Sequence, residues 1–377
     1  MSGIYIHIPF CKQACHYCDF HFSTSLKKKD EMLEALKREL VMRKNEVGEK
    51  IQTVYFGGGT PSILSHTEIN ALLDAVHENY EVCEKPEITL EANPDDLSEK
   101  ALENLYKSKI NRLSIGIQSF FDEDLKLMNR AHNATEAVKC LEKAIPLFKN
   151  ISIDLIYGIP GMSEERWVMN IRKALHMQIP HISAYALTVE PNTALKHFID
   201  KKVIDPVNDE EAHIHFTLLC KLLEEEGFVH YELSNFGKKD YFSRNNTAYW
   251  QGKKYIGIGP SAHSFNGEMR SWNIANNAIY IKNIQAGTLP RETEKLSVTD
   301  RYNEYIMTRL RTMWGVSLHE VTQRFGVVYK EYLMKQAQQH LDAALLVVEQ
   351  GVLKTTPKGK FLSDGISSDL FLLNLGK

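Results

Sequence analysis

From the first residues to about position 230, short apolar runs rich in β-branched residues alternate with amphipathic stretches of helical period. This alternation is typical of repeated βα units, in which parallel strands form one sheet and helices cover it. The predicted strands are 4–8, 53–56, 87–91, 112–118, 151–157 and 181–187. The predicted helices between them are 29–43, 67–77, 98–107, 121–130, 134–147 and 164–177. Ser65 and Glu68 have the spacing of a capping box at the start of the second helix.

Six βα units can form a doubly wound open sheet or an incomplete barrel, and periodicity does not distinguish them. The placement of unusual residues helps, because these residues collect at the carboxyl ends of successive strands. Cysteines follow the first strand, a Gly-Gly-Gly-Thr run at 57–60 follows the second, Glu91 ends the third and Gln118 ends the fourth. Both architectures bind ligands at this edge, and contributions from successive strands favour a partial (βα)6 barrel with a central site.

The length of 377 residues allows two or three domains. We expect the α/β barrel domain at 1–235 and an irregular, aromatic-rich connecting region at 236–290. A small, mostly helical, winged-helix-like domain is expected at 291–377, with a strand-like pair near 352–353 and 361–362.

The charge balance argues against a nucleic-acid partner. The chain has 45 Lys and Arg against 48 Asp and Glu, which offers no broad attraction to a polyanion. From residue 296 onward, ten basic residues face eight acidic ones, too small an excess for a surface that follows phosphates. A lid or docking role is expected for this carboxyl-terminal domain.

The amino-terminal stretch and the cysteine content indicate a reducing compartment. The first ten residues lack a basic region and include Pro9, and no apolar run reaches the roughly 20 residues of a membrane span. Six cysteines in a chain of this length do not make a disulfide scaffold. We therefore expect a cytoplasmic protein without a transmembrane segment, and transient membrane association stays open.

Three cysteines stand close together after the first predicted strand, at Cys11, Cys15 and Cys18. Three thiolates can hold an iron–sulfur cube and leave its fourth iron open to a small molecule. A zinc site usually closes four ligands, so it would need a histidine as the fourth. The candidates for that fourth ligand are His7, His16 and His21.

The C-x-x-x-C-x-x-C motif on the first loop of a six-unit βα domain resembles the radical S-adenosylmethionine (SAM) superfamily. Longer motifs resemble the oxygen-independent coproporphyrinogen III oxidase family and, within it, the HemW branch of proposed heme chaperones. These motifs are YIHIPFC at 5–11, YCDF at 17–20, GGGTP at 57–61 and DLIYGIPG at 154–161. The resemblance implies a 4Fe-4S cluster on the three cysteines, with SAM at the open iron as the source of a 5'-deoxyadenosyl radical.

The same resemblance assigns residues to the SAM site. Tyr5 and Tyr17 would flank the cluster and SAM. Gly58, Gly59 and Thr60 would form a turn whose backbone approaches the methionine part of SAM, because no side chain intervenes at the glycines. Further positions matching contacts to SAM, or to a second SAM in the oxidases, are Glu91, Gln118, Arg130, Asp154 and Ala186.

Without the resemblance, these residues have plainer interpretations. The glycine run is an ordinary βα turn, since GGGTP matches neither a dinucleotide nor a Walker fingerprint. Glu91 is then a solvated strand end, Arg130 half of a surface ion pair and Asp154 a buried structural hydrogen-bonding group.

Two departures from the oxidase pattern favour the chaperone branch. The oxidases carry a further cysteine two residues after the third, where this chain has Phe20, and they have a longer segment before the cluster motif. The resemblance therefore implies heme as bound cargo and a respiratory apoprotein as its acceptor. Oxidative decarboxylation of coproporphyrinogen III is the alternative, and whether the chain is an enzyme at all stays open.

The heme ligand is the point where this chain departs from the branch. The branch usually has His-Asn-x-x-Tyr-Trp after the barrel, and here Asn245 stands at the histidine position. An amide is a poor substitute for imidazole on heme iron. His263 is the alternative heme ligand, although a single histidine in an aromatic segment is more often a hydrogen-bonded structural residue.

Overall fold

The structure, a computed structural model, describes residues 2–373. Six parallel strands form its centre, and a helix or helices follow each of the first five. The strands are β1 (Ser2–Ile8), β2 (Ile51–Gly58), β3 (Val82–Ala92), β4 (Arg112–Gln118), β5 (Ile151–Tyr157) and β6 (His181–Ala186). The helices are α1 (Lys29–Met42), α2 (His66–Asn79), α3 (Glu99–Tyr106), α4 (Asp122–Leu127), α5 (Ala134–Ala144) and α6 (Glu164–His176).

These elements confirm the six predicted βα units. The predicted capping box is present, since the Glu68 amide donates to Ser65 Oγ over 3.3 Å and the Ser65 amide donates to Glu68 Oε2 over 2.7 Å. The six strands lie side by side in the order β1-β2-β3-β4-β5-β6. A doubly wound sheet would reverse its strand order, so this order is that of a partial barrel.

The two faces of these strands differ in polarity. On β1, Ile4, Ile6 and Ile8 are buried on the outer face, which the helices cover. The alternate residues Tyr5 and His7 belong to the opposite, inner face, because successive side chains of a strand point to opposite sides. Polar residues continue along the inner positions of the next strands, so a polar interior adjoins the carboxyl edge.

Further strands extend both sides of the barrel sheet. After β6 come α7 (Ala194–Asp200), α8 (Asp209–Glu225), β7 (Val229–Glu232) and β8 (Asn235–Gly237). The next elements are α9 (Arg244–Trp250), β9 (Lys254–Ile258), β10 (His263–Phe265), β11 (Met269–Asn273), α10 (Asn277–Gln285) and β12 (Arg291–Lys295). Strand β8 pairs with β6, while β9 pairs with β1 in parallel. The outermost strands of this sheet, β7 and β12, do not pair with each other within residues 2–373, so the barrel is open.

The sequence predicted an irregular connecting region at 236–290, but in the structure this region continues the sheet. Its attachment to the barrel depends on Glu39 and Arg43 of α1, both buried. Glu39 accepts hydrogen bonds from Asn273 Nδ2 over 2.7 Å and from Tyr280 OH over 2.5 Å. Arg43 bonds Glu39 over 3.0 Å and the Gly257 carbonyl over 2.7 Å.

The carboxyl-terminal region has its own apolar core and the element order of a winged helix. It comprises α11 (Val298–Leu310), β13 (Val316–Ser317), α12 (Leu318–Phe325), α13 (Val327–Asp342), β14 (Leu346–Glu349), β15 (Val352–Thr355), α14 (Pro357–Lys360) and α15 (Ser363–Asp369). The hairpin partner of β15 is β14, and Gln350 and Gly351 form the turn with φ of 49° and 78°. The predicted strand at 361–362 is wrong, because those residues join two short helices.

Candidate functional site

The three clustered cysteines lie on the loop after β1. The Cys11 amide donates to the Ser23 carbonyl over 3.1 Å, and the Cys18 amide donates to the Cys15 carbonyl over 3.3 Å. Thr60 Oγ1 donates to Cys11 Sγ over 3.4 Å. Burial raises the pKa of the Cys18 thiol to about 11. Because iron binds thiolates, loading this loop with an iron–sulfur cluster would displace thiol protons.

Arg130 holds this loop against the barrel. Its guanidinium donates to Cys15 Sγ over 3.2 Å and to Tyr17 OH over 3.4 Å. The same group donates to Asn93 Oδ1 over 2.7 Å and to the Gly116 carbonyl over 3.1 Å. Arg130 is therefore not half of a surface ion pair, and its position suits a role in orienting the cysteine loop. Asn93, which the sequence interpretation missed, follows Glu91 in the run LEANP.

The histidines proposed for a zinc site have other partners. His7 Nδ1 lies 3.2 Å from Tyr5 OH, and His7 Nε2 lies 2.9 Å from the His21 carbonyl. His16 Nδ1 lies 2.8 Å from the Leu127 carbonyl. Within residues 2–373, no three His, Cys, Asp or Glu side chains converge as closely as one metal ion requires. Thiolates of a cube bind different irons, so three cysteines of one loop fit that donor set better than a mononuclear site.

The glycine turn after β2 packs against β1. The Gly59 amide donates to the Ile8 carbonyl over 2.9 Å, and the Thr60 amide donates to the Phe10 carbonyl over 2.7 Å. A Cβ on Gly59 would lie 2.6 Å from the Phe10 oxygen and 3.0 Å from Cys11 Sγ. At Gly58, where φ is 110°, it would lie 2.6 Å from the His7 ring. These contacts give the two glycines a packing reason, because a side chain there would push away the first strand and its loop. The approach of the turn's backbone to SAM stays a prediction.

Two carboxyl groups lie on the inner face of the barrel. Glu91 Oε1 accepts a hydrogen bond from Tyr55 OH over 2.7 Å, and burial raises the pKa of Glu91 to about 7. Asp154 accepts from Ser114 Oγ over 3.3 Å, and burial raises its pKa to about 6. Arg112, buried between the strands, opposes both shifts through its charge.

Tyr55 and Arg112 were missed, although both stand at alternate, inward positions of predicted strands, and that alternation is the signal that points to them. Glu91 is therefore not a solvated strand end. Asp154 is a buried hydrogen-bonded group, as its plain interpretation had it, and it shares the barrel interior with Glu91.

The other predicted SAM positions stand at the carboxyl edge of the barrel. Gln118 ends β4 with φ of 64° and is buried. A Cβ on Gly116 would lie 2.8 Å from Gln118 Nε2 and 3.2 Å from Arg130 Nη2, so the glycine leaves room for both side chains. Ala186 ends β6 and pairs in register with Tyr157. Gln118 therefore lies at the strand end where the sequence predicted it, and Ala186 lies at the end of another strand of the same edge.

A cavity of about 730 Å³ opens beside the cysteine loop, inside the barrel and under α9. Of the predicted residues, Tyr5, Gly58, Glu91 and His263 line it. Other lining residues are Phe20, Tyr249 and Trp250, which belong to motifs discussed above. The sequence interpretation missed further lining residues, which are Thr53, Tyr185, Tyr255, Arg270 and Arg311. Cofactor sites usually enclose about 300–1,000 Å³ and carry such aromatic walls.

His263 and Asn245 lie at different places in this cavity. Asn245 Oδ1 accepts a hydrogen bond from Thr53 Oγ1 over 3.1 Å inside the barrel. His263 is exposed at the rim, with its ring 6.0 Å from the Trp272 ring. It has no hydrogen-bond partner within residues 2–373, so the interpretation as a hydrogen-bonded structural residue is wrong. Burial on one side and the charge of Arg270 lower the pKa of His263, which leaves a neutral imidazole at pH 7.

Comparison with known proteins supports this geometry. The model of the Radical SAM superfamily matches residues 5–174, and that of the HemN C-terminal domain matches residues 296–362. The heme chaperone HemW of Bacillus subtilis strain 168 is 33% identical over 94% of this chain and 97% of its own length. The heme chaperone HemW of Lactococcus lactis strain IL1403 is 32% identical over 98% and 97% of the two chains.

A solved structure of coproporphyrinogen III oxidase (HemN) from Escherichia coli, a radical SAM enzyme, has the same fold. It aligns with a TM-score of 0.84 at 22% identity and covers 98% of this chain and 90% of that one. This similarity extends through the barrel and the carboxyl-terminal domain. Across residues 2–373, no helix combines the length and the apolar character that crossing a bilayer demands.

Proposed function

The chain belongs to the HemW family of radical SAM proteins, and from this premise we propose that it binds heme and passes it to respiratory apoproteins. The single observation that carries the proposal is the cavity of about 730 Å³, which adjoins the cysteine loop and has a neutral, unbonded histidine at its rim. Its aromatic lining suits a flat, largely apolar macrocycle, and its volume lies within the range of cofactor sites.

The cysteine loop would hold a 4Fe-4S cluster through Cys11, Cys15 and Cys18. When bound, that cluster supplies an open iron for SAM and a low-potential electron. The chain's part is to fix the loop, which Arg130 and Thr60 do through their contacts with two of the sulfur atoms.

SAM would occupy the carboxyl edge between the glycine turn and the ends of β3 to β6. Glu91 would attract its cationic amine, because the Glu91 carboxylate forms no salt bridge within residues 2–373 and the charge of Arg112 only partly offsets the cost of ionising it. Asp154 and Gln118 are hydrogen-bonding groups for the remaining polar atoms of SAM. The resemblance stated above and the common edge support these assignments.

Heme iron would be bound by His263. Its imidazole is neutral and has no competing hydrogen bond, the form that ligates heme. Asn245 does not replace the histidine usual in the family, since its amide oxygen already accepts from Thr53.

Phe20 bears on whether the cavity also performs oxidase chemistry. It stands where the oxidases have a further cysteine, and its side chain is 69% exposed at the cavity wall. A phenyl ring has no dissociable proton and no redox-active sulfur, so it supplies none of the chemistry of a thiol at that position. We therefore propose heme binding without conversion of coproporphyrinogen III. The six cysteines are all free, which suits a reducing compartment, and we propose the cytoplasm as the site of action.

The cluster assignment is tested by anaerobic reconstitution. Replacing Cys11, Cys15 or Cys18 by Ala should abolish the broad visible absorption and the bound iron, whereas the control Cys83→Ala should retain both. Stoichiometric zinc without iron in the wild-type protein would refute the assignment.

Heme binding is tested on the same reconstituted sample. Heme titration should give a saturable Soret band in the wild type, and His263→Ala should shift that band and weaken binding at least tenfold. His319→Ala, which changes an exposed histidine of α12, is the matched control. A porphyrinogen assay completes the experiment, since vinyl-group formation well above background would replace the chaperone proposal by the oxidase alternative.

A further inference from the structure

A second cavity, of about 260 Å³, lies where the barrel meets the carboxyl-terminal domain. The two parts are joined there by the backbone, because the Leu233 amide donates to the Arg311 carbonyl over 2.8 Å and the Met313 amide donates to the Tyr231 carbonyl over 3.0 Å. The cavity holds none of the residues assigned above to the cluster, SAM or heme. Its lining includes His230, Glu232, Arg311, Lys354, Lys360 and Ser363.

Lys360 brings an unbalanced positive charge to this cavity. Its ammonium lies 2.9 Å from His230 Nδ1 and forms no salt bridge within residues 2–373. His230 Nε2 bonds the Leu233 carbonyl over 3.0 Å, so its proton sits on Nε2 and Nδ1 accepts from Lys360. Burial lowers the pKa of Lys360, and the Cys220 thiol and the exposed carboxylate of Glu224 oppose that shift without forming a salt bridge to it. A half-buried ammonium without an opposing charge is costly unless an anion balances it.

The other two cationic side chains of the cavity, Lys354 and Arg311, each have a carboxylate partner. Lys354 bonds Glu349 over 3.3 Å and Arg311 bonds Asp364, both partners being exposed. Arg311 Nε, however, is buried without a hydrogen-bond partner within residues 2–373.

A buried hydroxyl adds a second unpartnered donor. Ser363 is 1% exposed, and its Oγ has no hydrogen-bond partner within residues 2–373. Buried hydroxyl groups usually find a partner, and those without one need an explanation such as an unobserved ligand. The one carboxylate in the lining, Glu232, already accepts hydrogen bonds from the Ser234 amide and from Asn235.

We propose that this cavity is a binding site for a small oxyanion, a phosphate or carboxylate group. The ammonium of Lys360, the hydroxyl of Ser363 and the Nε–H of Arg311 would donate to its oxygens. An ammonium, a hydroxyl and a guanidinium N–H are donors suited to such oxygens, and charge-assisted hydrogen bonds to them are the stronger kind. The volume admits an ion of this size with a few waters. Because Arg311 and Glu232 also line the larger cavity, the bound anion would contact the wall that the two cavities share.

The test uses the full-length, reconstituted protein without heme. Calorimetric titrations with sodium phosphate and with sodium acetate are compared with sodium chloride at equal ionic strength. We expect saturable binding of phosphate or acetate but not chloride. Stronger phosphate binding would indicate a phosphoryl ligand, and stronger acetate binding would indicate a carboxylate.

Variants then locate the site. Lys360→Met should weaken oxyanion binding at least tenfold. Ser363→Ala is a smaller change, included in case Lys360→Met fails to fold, and it should weaken binding severalfold. Lys358→Met, on the same short helix but outside the lining, should bind as the wild type does. The cluster absorption should be unchanged in all three. Equal responses of the wild type to chloride and to both oxyanions, or undiminished binding in Lys360→Met and Ser363→Ala, would overturn the proposal.

Discussion

Adding one methyl group at Gly59 should disturb the cysteine loop and not SAM binding alone. The new Cβ would lie 2.6 Å from the Phe10 oxygen, 2.9 Å from the Phe10 nitrogen and 3.0 Å from Cys11 Sγ. Two of these atoms are backbone, so β1 and the turn must move apart. The hydrogen bond from Thr60 to Phe10, now 2.7 Å, would lengthen as a result. Overpacking of this kind costs about 1–3 kcal/mol.

The assay compares Gly59→Ala with the wild type in urea unfolding of the apoprotein and in iron bound per chain after anaerobic reconstitution. We expect a free energy of unfolding lower by about 1–3 kcal/mol. We also expect less iron bound per chain, because Cys11 shifts with the loop. The control is Gly48→Ala, where an added Cβ meets nothing within 4 Å. A Gly59→Ala protein with wild-type stability and full iron would refute the packing argument, and if it lost only SAM affinity, the glycine would serve the ligand directly.

Three further changes test the interior and its supports. Glu91 has a pKa near 7 in the fold against an ordinary 4.5, so its protonated form stabilises the apoprotein and that stability, on the order of 3 kcal/mol, is lost as pH rises from about 4.5 to 7. Glu91→Gln should flatten this part of a pH series of urea midpoints, and an unchanged slope would contradict the assignment. Glu39→Ala removes the fully buried partner of Arg43, which keeps only the partly exposed Glu46, and leaves the buried donors of Asn273 and Tyr280 without their acceptor. It should lower the free energy of unfolding by about 3–5 kcal/mol in urea titrations. Arg130→Lys keeps the charge but loses the planar fork, so iron retention after reconstitution should fall while Lys126→Arg, on a neighbouring helix, has no effect.

The barrel was predictable because each unit carries its own signals. The strands at 112–118 and 151–157 were predicted at their observed bounds, since apolar and β-branched residues there stand between clear turn residues. The hairpin of β14 and β15 in the carboxyl-terminal domain shows where such local reasoning fails. Apolar residues at 361–362 follow a strand, but the Pro357 that precedes them starts a helix, and β15 pairs backward with β14 through a two-residue turn.

The region 236–290 was beyond local reasoning because its order depends on distant partners. Strand β9 pairs with β1, about 250 positions earlier, and its short length gives little periodic signal of its own. Helix α9 begins with amides that donate to Glu87, so a carboxylate of β3 helps to fix its start. Neither contact is visible in the residues of the region itself.

In the candidate site too, residues close together in the sequence could be predicted to meet, and residues far apart could not. The spacing of Cys11, Cys15 and Cys18 was enough to predict that they lie close together, because the three share one loop. The location of the two positions considered for the proposed heme ligand required the tertiary structure. Asn245 lies inside the barrel beside Thr53, while His263 lies at the rim of the same cavity. The two positions are therefore not interchangeable, and a heme bound through His263 would sit nearer the cavity mouth than one bound at position 245. A site at the mouth favours release to another protein, because the ligand need not leave the barrel interior before it is transferred.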